Sequence, residues 1–172
     1  VAGVQSQSIT VDRQMRRYGV PAIAFVNKCD RAGANPLGVC QQLRDDLSHN
    51  AVLIQHPIGL EAAHRGVVDL IRMVAYISEG EDGEIIKEFP IPDDLVKICK
   101  EQRNTMIEAL SDFDDEIAMM YLDGEGDKIT EEHIIAVMSK ATLSRKFTPV
   151  CLGSAYKNKA VQPLLDKVCQ LL

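Results

Sequence analysis

Pro21-Ala22-Ile23-Ala24-Phe25-Val26-Asn27-Lys28-Cys29-Asp30 is the stretch on which the reading of this 172-residue chain turns. A short, mostly apolar run ends abruptly in a polar tetrad. Such a run reads as a strand buried on both faces, as in a parallel sheet. Open α/β sheets bind ligands beyond the carboxyl ends of their strands, and the tetrad lies there. Its chemistry suits a guanine base. Guanine presents two donors, N1–H and the exocyclic amine, and the single carboxylate of Asp30 can accept both. Charge-assisted hydrogen bonds of this kind contribute about 1.5–3 kcal/mol each. The aliphatic stem of Lys28 can lie flat on the purine while its ammonium stays in water. Asn27 carries both donor and acceptor, and could brace the loop or reach N7. Taken alone, the four residues would also serve as a polar turn after a strand.

A second motif supplies the context. Pro149-Val150-Cys151-Leu152 reads as another short buried strand, and it runs into Gly153-Ser154-Ala155-Tyr156-Lys157. Small side chains let the main chain approach a purine edge, where a backbone N–H can donate to the carbonyl O6. Adenine carries an amine at that position and would be refused. The paired loops therefore predict guanine contact by Asn27, Lys28, Asp30, Ser154, Ala155 and Lys157.

Three longer stretches resemble elongation factor G, the translational GTPase of translocation. They are Val20-Pro21-Ala22-Ile23-Ala24-Phe25-Val26-Asn27-Lys28-Cys29-Asp30-Arg31-Ala32-Gly33-Ala34-Asn35-Pro36, Gly153-Ser154-Ala155-Tyr156-Lys157-Asn158-Lys159-Ala160-Val161-Gln162-Pro163-Leu164-Leu165-Asp166, and Pro57-Ile58-Gly59-Leu60-Glu61 with Gly66-Val67-Val68-Asp69-Leu70. Arg13-Gln14-Met15-Arg16-Arg17-Tyr18 and Ala141-Thr142-Leu143-Ser144-Arg145-Lys146-Phe147-Thr148-Pro149-Val150 are similar to the mitochondrial form of that family. The resemblance implies GTP or GDP as ligand, with magnesium in the full-length parent. It implies the ribosome, including its stalk protein, as partner, and the mitochondrial matrix as location. The recycling paralogue of the same family stands as the alternative. Ala160 departs from the family, which usually has Gly there. Ala at 160 is expected to need only an ordinary backbone conformation.

The fold class implied is α/β: the carboxyl-terminal half of a P-loop-type GTP-binding domain, with parallel strands and flanking helices, carrying an α+β insert subdomain. Residues 1–49 would hold the Asn-Lys-x-Asp part, 50–143 the insert, and 144–172 the Ser-Ala loop and last helix. Within that frame, residues 5–18 read as a helix closed by Gly19. Asn35-Pro36 is a helix start. Residues 51–58 and 66–77 are rich in β-branched side chains and read as strands. Glu81-Asp82-Gly83-Glu84 suits a hairpin turn before a return strand at 85–89. Helical patterns follow from Pro92, around Ile117, and after Thr130. Val161, Leu164, Leu165, Val168, Leu171 and Leu172 form an apolar stripe expected to cover the sheet.

No G-x-x-x-x-G-K-S/T occurs, so the chain supplies neither a phosphate cradle nor the magnesium ligands that GTP hydrolysis requires. No catalytic and no metal-binding residue is predicted, and the segment alone is expected to be inactive. Val1-Ala2-Gly3-Val4 opens without Met and is expected to continue from a longer chain. The formal charge of −6 argues against a free-standing RNA- or DNA-binding role but does not exclude ribosome contact. No apolar run approaches a membrane span. The five cysteines, at 29, 40, 99, 151 and 169, form no C-x-x-C pair and read as reduced thiols. Asp123-Gly124-Glu125-Gly126-Asp127 imitates a calcium loop, but Lys128 stands where the turn Gly belongs and Ile134 where the bidentate Glu belongs. His49, His56, His64 and His133 show no ligand spacing, and Asp114-Asp115-Glu116 reads as a helix-start cluster. Glu101, Glu108, Asp112 and Asp115 could steer a basic partner.

Overall fold

Two sheets share one continuous segment of chain. The computed structural model describes residues 2–80 and 83–172. Its elements run α1 (Ser6–Tyr18), β1 (Ala24–Val26), α2 (Pro36–Asp45), β2 (Ala51–Leu53), β3 (Gln55–Ile58), β4 (Gly66–Asp69), β5 (Val74–Glu79), β6 (Ile85–Phe89), α3 (Asp93–Ser111), α4 (Asp115–Leu122), α5 (Glu131–Leu143), β7 (Thr148–Leu152) and α6 (Val161–Leu171). Short 3₁₀ turns cover Glu61–Ala63 and Gly126–Lys128.

The first sheet is parallel, in the order β1-β7-β2, and the second is an antiparallel meander, β3-β4-β5-β6. With helices flanking the parallel sheet, the architecture is α/β, as the sequence predicts. The stretch at 51–58 is not one strand but two. Ala51, Val52 and Leu53 pair with β7, and after Ile54 the chain joins the antiparallel sheet. Sheet membership thus changes at Ile54, a few residues beyond the boundary expected at 50. The Glu81-Asp82 part of the predicted turn lies outside the described residues, and the strands on either side pair antiparallel with Glu79 opposite Ile85.

Period-two alternation sorts the parallel sheet's side chains between two cores. Val26, Ala51, Leu53, Val150 and Leu152 face one way and meet Cys40, with Leu43 packed against them, from α2. Val52, Ile54 and Cys151 face the other way, into the larger cluster with Met106, Ile107 and Leu110 of α3, Ile134, Val137 and Met138 of α5, and Leu171 of α6. Burial of a side chain of this size contributes about 1.5–3 kcal/mol, so the larger cluster dominates the fold's stability. Helix ends follow the sequence signals. Gly19 takes the left-handed conformation at φ 67°, the Asn35 side chain accepts from Gly38 N, and the Thr130 hydroxyl accepts from His133 N.

The stripe on α6 is only half right. Leu171 is buried and Leu164 half-buried, but Leu165, Val168 and Leu172 are exposed. The inward face is instead Leu164, Lys167 and Leu171, at i, i+3 and i+7. Lys167 is turned inward because its ammonium pairs with the buried Asp69 carboxylate of β4 at 2.9 Å. All five cysteines are free thiols, with Cys169 the exposed one. Burial pushes the Cys151 thiol up to about 12, which keeps it protonated and inert.

Candidate functional site

The carboxyl ends of β1 and β7 are adjacent because Val26 pairs with Leu152. The two predicted loops therefore start side by side, and the backbone then crosses between them. Gly153 N donates to Val26 O, and Cys29 N donates back to Gly153 O, each at 3.0 Å. Asn27 completes the tie. Its Oδ1 accepts from Lys28 N at 2.7 Å and from Ala155 N at 3.0 Å. Of the two roles open to Asn27, the structure displays the bracing one. Lys28 sits at φ 64°, in the left-handed region, so the chain turns sharply there and leaves the lysine exposed. Cys29 points inward, with its thiol near Val26 O.

Asp30 and Ser154 are brought together. The Ser154 hydroxyl beside it, with Arg31 helping, holds the Asp30 carboxyl below the usual aspartate range against the opposing effect of burial. Asp30 is thus an anion at neutral pH and can only accept. One of its oxygens, Oδ1, is shielded from solvent and has no hydrogen-bond partner among the described residues. An unpaired carboxylate oxygen costs free energy unless donors arrive. Asp30 as a residue is only half-buried, so its carboxylate also faces outward, where a guanine edge could present two donors. Ser154 itself is fully buried, and its Oγ also accepts from Lys157 N at 3.3 Å. Ala155, Tyr156 and Lys157 are exposed, with the Lys157 ammonium 5.7 Å from the Tyr156 ring centroid. All six predicted residues therefore lie on two loops tied to one another.

The turn is narrow. A β-carbon built on Gly153 would lie 2.4 Å from Lys159 O and 3.2 Å from Phe25 Cζ. Gly153→Ala is therefore expected to destabilise the fold by about 2 kcal/mol, an overpacking cost against backbone that cannot rotate away. A urea denaturation midpoint within error of wild type would count against this. Ala160 corrects the expectation of an ordinary conformation. It lies at φ 62°, ψ 21°, a left-handed geometry that costs an L-residue about 1–2 kcal/mol. A glycine at this position would meet no such penalty, so Ala160 carries strain directly after the Ser-Ala loop.

Several charged groups escaped the sequence reading because their partners are distant in the chain. Glu61, itself left-handed at φ 57°, donates its N–H to Cys29 O and accepts from Gly33 N, both at 2.8 Å. His64 is fully buried and packed close to Asp30, and burial lowers its basicity. The signal available was the Gly59-x-Glu61 pair, a turn residue followed by a carboxylate. At the opposite end of the parallel sheet, Asp12 accepts from Arg16 and faces His49, whose other ring nitrogen meets the Thr148 hydroxyl at 2.8 Å. That relay fastens α1 to β7, and among the described residues no α1 side chain enters either apolar core. Asp114, Glu116 and His133 offer ligand atoms within 4.8 Å of one another. Asp114 Oδ1 is already engaged, capping α4 through Ile117 N at 2.9 Å and facing His133 Nε2 at 3.1 Å. The cluster is a helix start, as its sequence suggests.

Comparison with known proteins agrees with this geometry. The family model described as the elongation factor Tu GTP binding domain matches residues 1–172. Elongation factor G 2 of Anaeromyxobacter dehalogenans is 56% identical over all 172 residues, and elongation factor G 1 of Treponema pallidum is 54% identical over the same span. In each case the chain covers 24% of the relative's length, about a quarter of those proteins. A crystal structure of a protein from Thermus thermophilus superposes with a TM-score of 0.84 at 25% identity, covering 99% of this chain and 25% of that one. That family model matches the whole of a chain whose Asn-Lys-x-Asp and Ser-Ala loops are tied together at the carboxyl ends of neighbouring parallel strands, and the chain belongs to the family of the elongation factor Tu GTP binding domain.

Proposed function

We propose that this chain is the guanine-reading segment of a translational GTPase of the elongation factor G type, which couples GTP hydrolysis to movement of tRNA and mRNA on the ribosome. The observation that carries the reading is Asp30, a half-buried anion held against Ser154 between two interlocked loops. In this reading Asp30 accepts N1–H and the exocyclic amine, the Lys28 stem covers the purine face, and backbone N–H groups of the Ser154 turn meet O6. Lys157 lies beside the base. The phosphate loop and the magnesium ligands are assigned to other parts of the parent, so the segment itself binds the base and does not hydrolyse GTP. Magnesium, where bound in the parent, supplies charge neutralisation at the phosphates.

Amide NMR titration of the chain with GDP and with ADP tests this. GDP is expected to shift Lys28, Asp30, Ser154 and Ala155 with an affinity of about millimolar or weaker, because the phosphate contacts are missing while the immobilisation cost remains. Equal shifts with ADP would exclude base reading.

The mitochondrial form, acting in the matrix, is favoured by the stretches at 13–18 and 141–150, and import of the tagged parent into mitochondria is the test. A second reading concerns the insert. Glu101, Glu108, Asp112 and Asp115 are all exposed, and Met119 and Leu122 on α4 are exposed apolar residues beside them. That surface suits a partner with a basic, partly apolar face, and the ribosomal stalk protein is the candidate. Charge reversal of the four acids should abolish its capture.

A further inference from the structure

The antiparallel insert meets the guanine-reading loops at two described places. The first is the β3–β4 connection, residues 59–65. Glu61 sits in it with a strained left-handed backbone, its N–H on Cys29 O and its carboxylate on Gly33 N, both at 2.8 Å. Those contacts bracket Asp30 from the residue before it and from the turn after it. Two residues on from Ala62, the His64 carbonyl accepts from Lys159 Nζ. The Lys159 backbone in turn exchanges hydrogen bonds with Ser154, at 2.9 and 3.0 Å. The second is Gly83, just before β6, buried at φ 65°, where an added β-carbon would lie 2.7 Å from Lys157 O and 2.8 Å from Asn158 O. The insert backbone is therefore in direct contact with the Ser-Ala loop.

We propose that the insert is a brace for the base site, with Glu61 and Lys159 as positioning residues that set the separation of Asp30 from the Ser-Ala loop. This rests on the guanine reading given above. Backbone strain at a non-glycine residue persists only where surrounding contacts hold it, and at Glu61 those contacts are its own 3₁₀ turn and the base-reading loop. Neither residue needs to touch the ligand. Their hydrogen bonds fix where Asp30 and Ser154 stand before a base arrives, which spares the ordering cost on binding.

The test uses the whole 172-residue chain and two readouts. Hydrogen exchange of the ligand-free protein reads the brace, and amide NMR titration with GDP and ADP reads the site. Glu61→Ala is expected to speed exchange at Gly33 by about tenfold or more, the loss of one hydrogen bond to a charged acceptor. It is also expected to weaken GDP about three- to tenfold, since a looser pocket must be ordered on binding. Glu61→Gln keeps an acceptor oxygen and should restore both readouts. Gly83→Ala, acting from the second place, should displace the amides of Lys157 and Asn158 and weaken GDP too. Faster exchange with unchanged GDP affinity would overturn the positioning role, as would failure of glutamine to rescue or an unaffected site in both variants. If wild type responds equally to GDP and ADP, base reading fails separately, and the exchange data alone then decide whether the brace exists.

Discussion

Asp30→Asn is expected to exchange guanine preference for xanthine preference. The carboxylate offers two acceptor oxygens to the two donors of guanine. An asparagine in the same place offers one acceptor and one donor, and xanthine presents the matching N1–H and second carbonyl. The change removes one hydrogen bond from the guanine complex and the charge assistance of the other, where a charge-assisted bond contributes about 1.5–3 kcal/mol. The combined loss corresponds to a shift in base selectivity of about 10²- to 10⁴-fold. Ser154, buried and already engaged with Lys157 N, still has its hydroxyl beside position 30, so the loop keeps a local partner after substitution. Competition between GDP and xanthosine diphosphate on the full-length parent measures the switch. A variant that still prefers guanine would show that another group reads the base.

Lys167→Met is expected to cost about 3–5 kcal/mol of stability, the penalty for leaving a buried charge without its partner. Lys167 and Asp69 have side chains 3% and 2% exposed and meet at 2.9 Å. Asp69 Oδ1 also accepts from Ile71 N and Arg72 N, and Lys167 Nζ reaches Gln170 Oε1. Both members of the pair have hydrogen-bond partners besides each other, and methionine would fill the space while stranding the carboxylate. For a domain of this size the melting temperature should fall by about 10 °C. Adding Asp69→Asn should recover part of the loss, because the uncompensated charge goes with it, and the cycle yields the coupling energy. A single variant as stable as wild type would mean that water reaches Asp69 in solution.

The two loops that the structure ties together were legible because their information is local. A short apolar strand, a polar tetrad and a small-residue turn each declare themselves within a short stretch of chain. Caps at Asn35 and Thr130 and the helix stop at Gly19 were legible for the same reason. Lys167 was not, because a lysine in an amphipathic helix reads as solvated unless its acceptor is known, and Asp69 lies far away in sequence. Glu61 and His64 were missed likewise: their meaning comes from a loop brought to the site by a different sheet. Ala160 failed differently, since nothing in an alanine announces a left-handed backbone, and the family's glycine was the one clue. The break at Ile54 was hidden because strands buried on all sides give one unbroken apolar run, whichever sheet they join.

That break has a mechanical meaning. Ala51, Val52 and Leu53 are zipped to β7, Ile54 N donates to Val150 O while its carbonyl accepts from Leu70 N, and the Gln55 side chain accepts from Leu152 N. One rod of backbone is thus rooted in one sheet and grows out as the first strand of the other. Such a joint transmits displacement instead of absorbing it, as a hinge would. A pull or twist applied to the insert is delivered to β7 and, just beyond its end, to Ser154. The insert is a lever welded to its support, and excising it from the boundary expected at 50 would take β2, an edge of the parallel sheet, along.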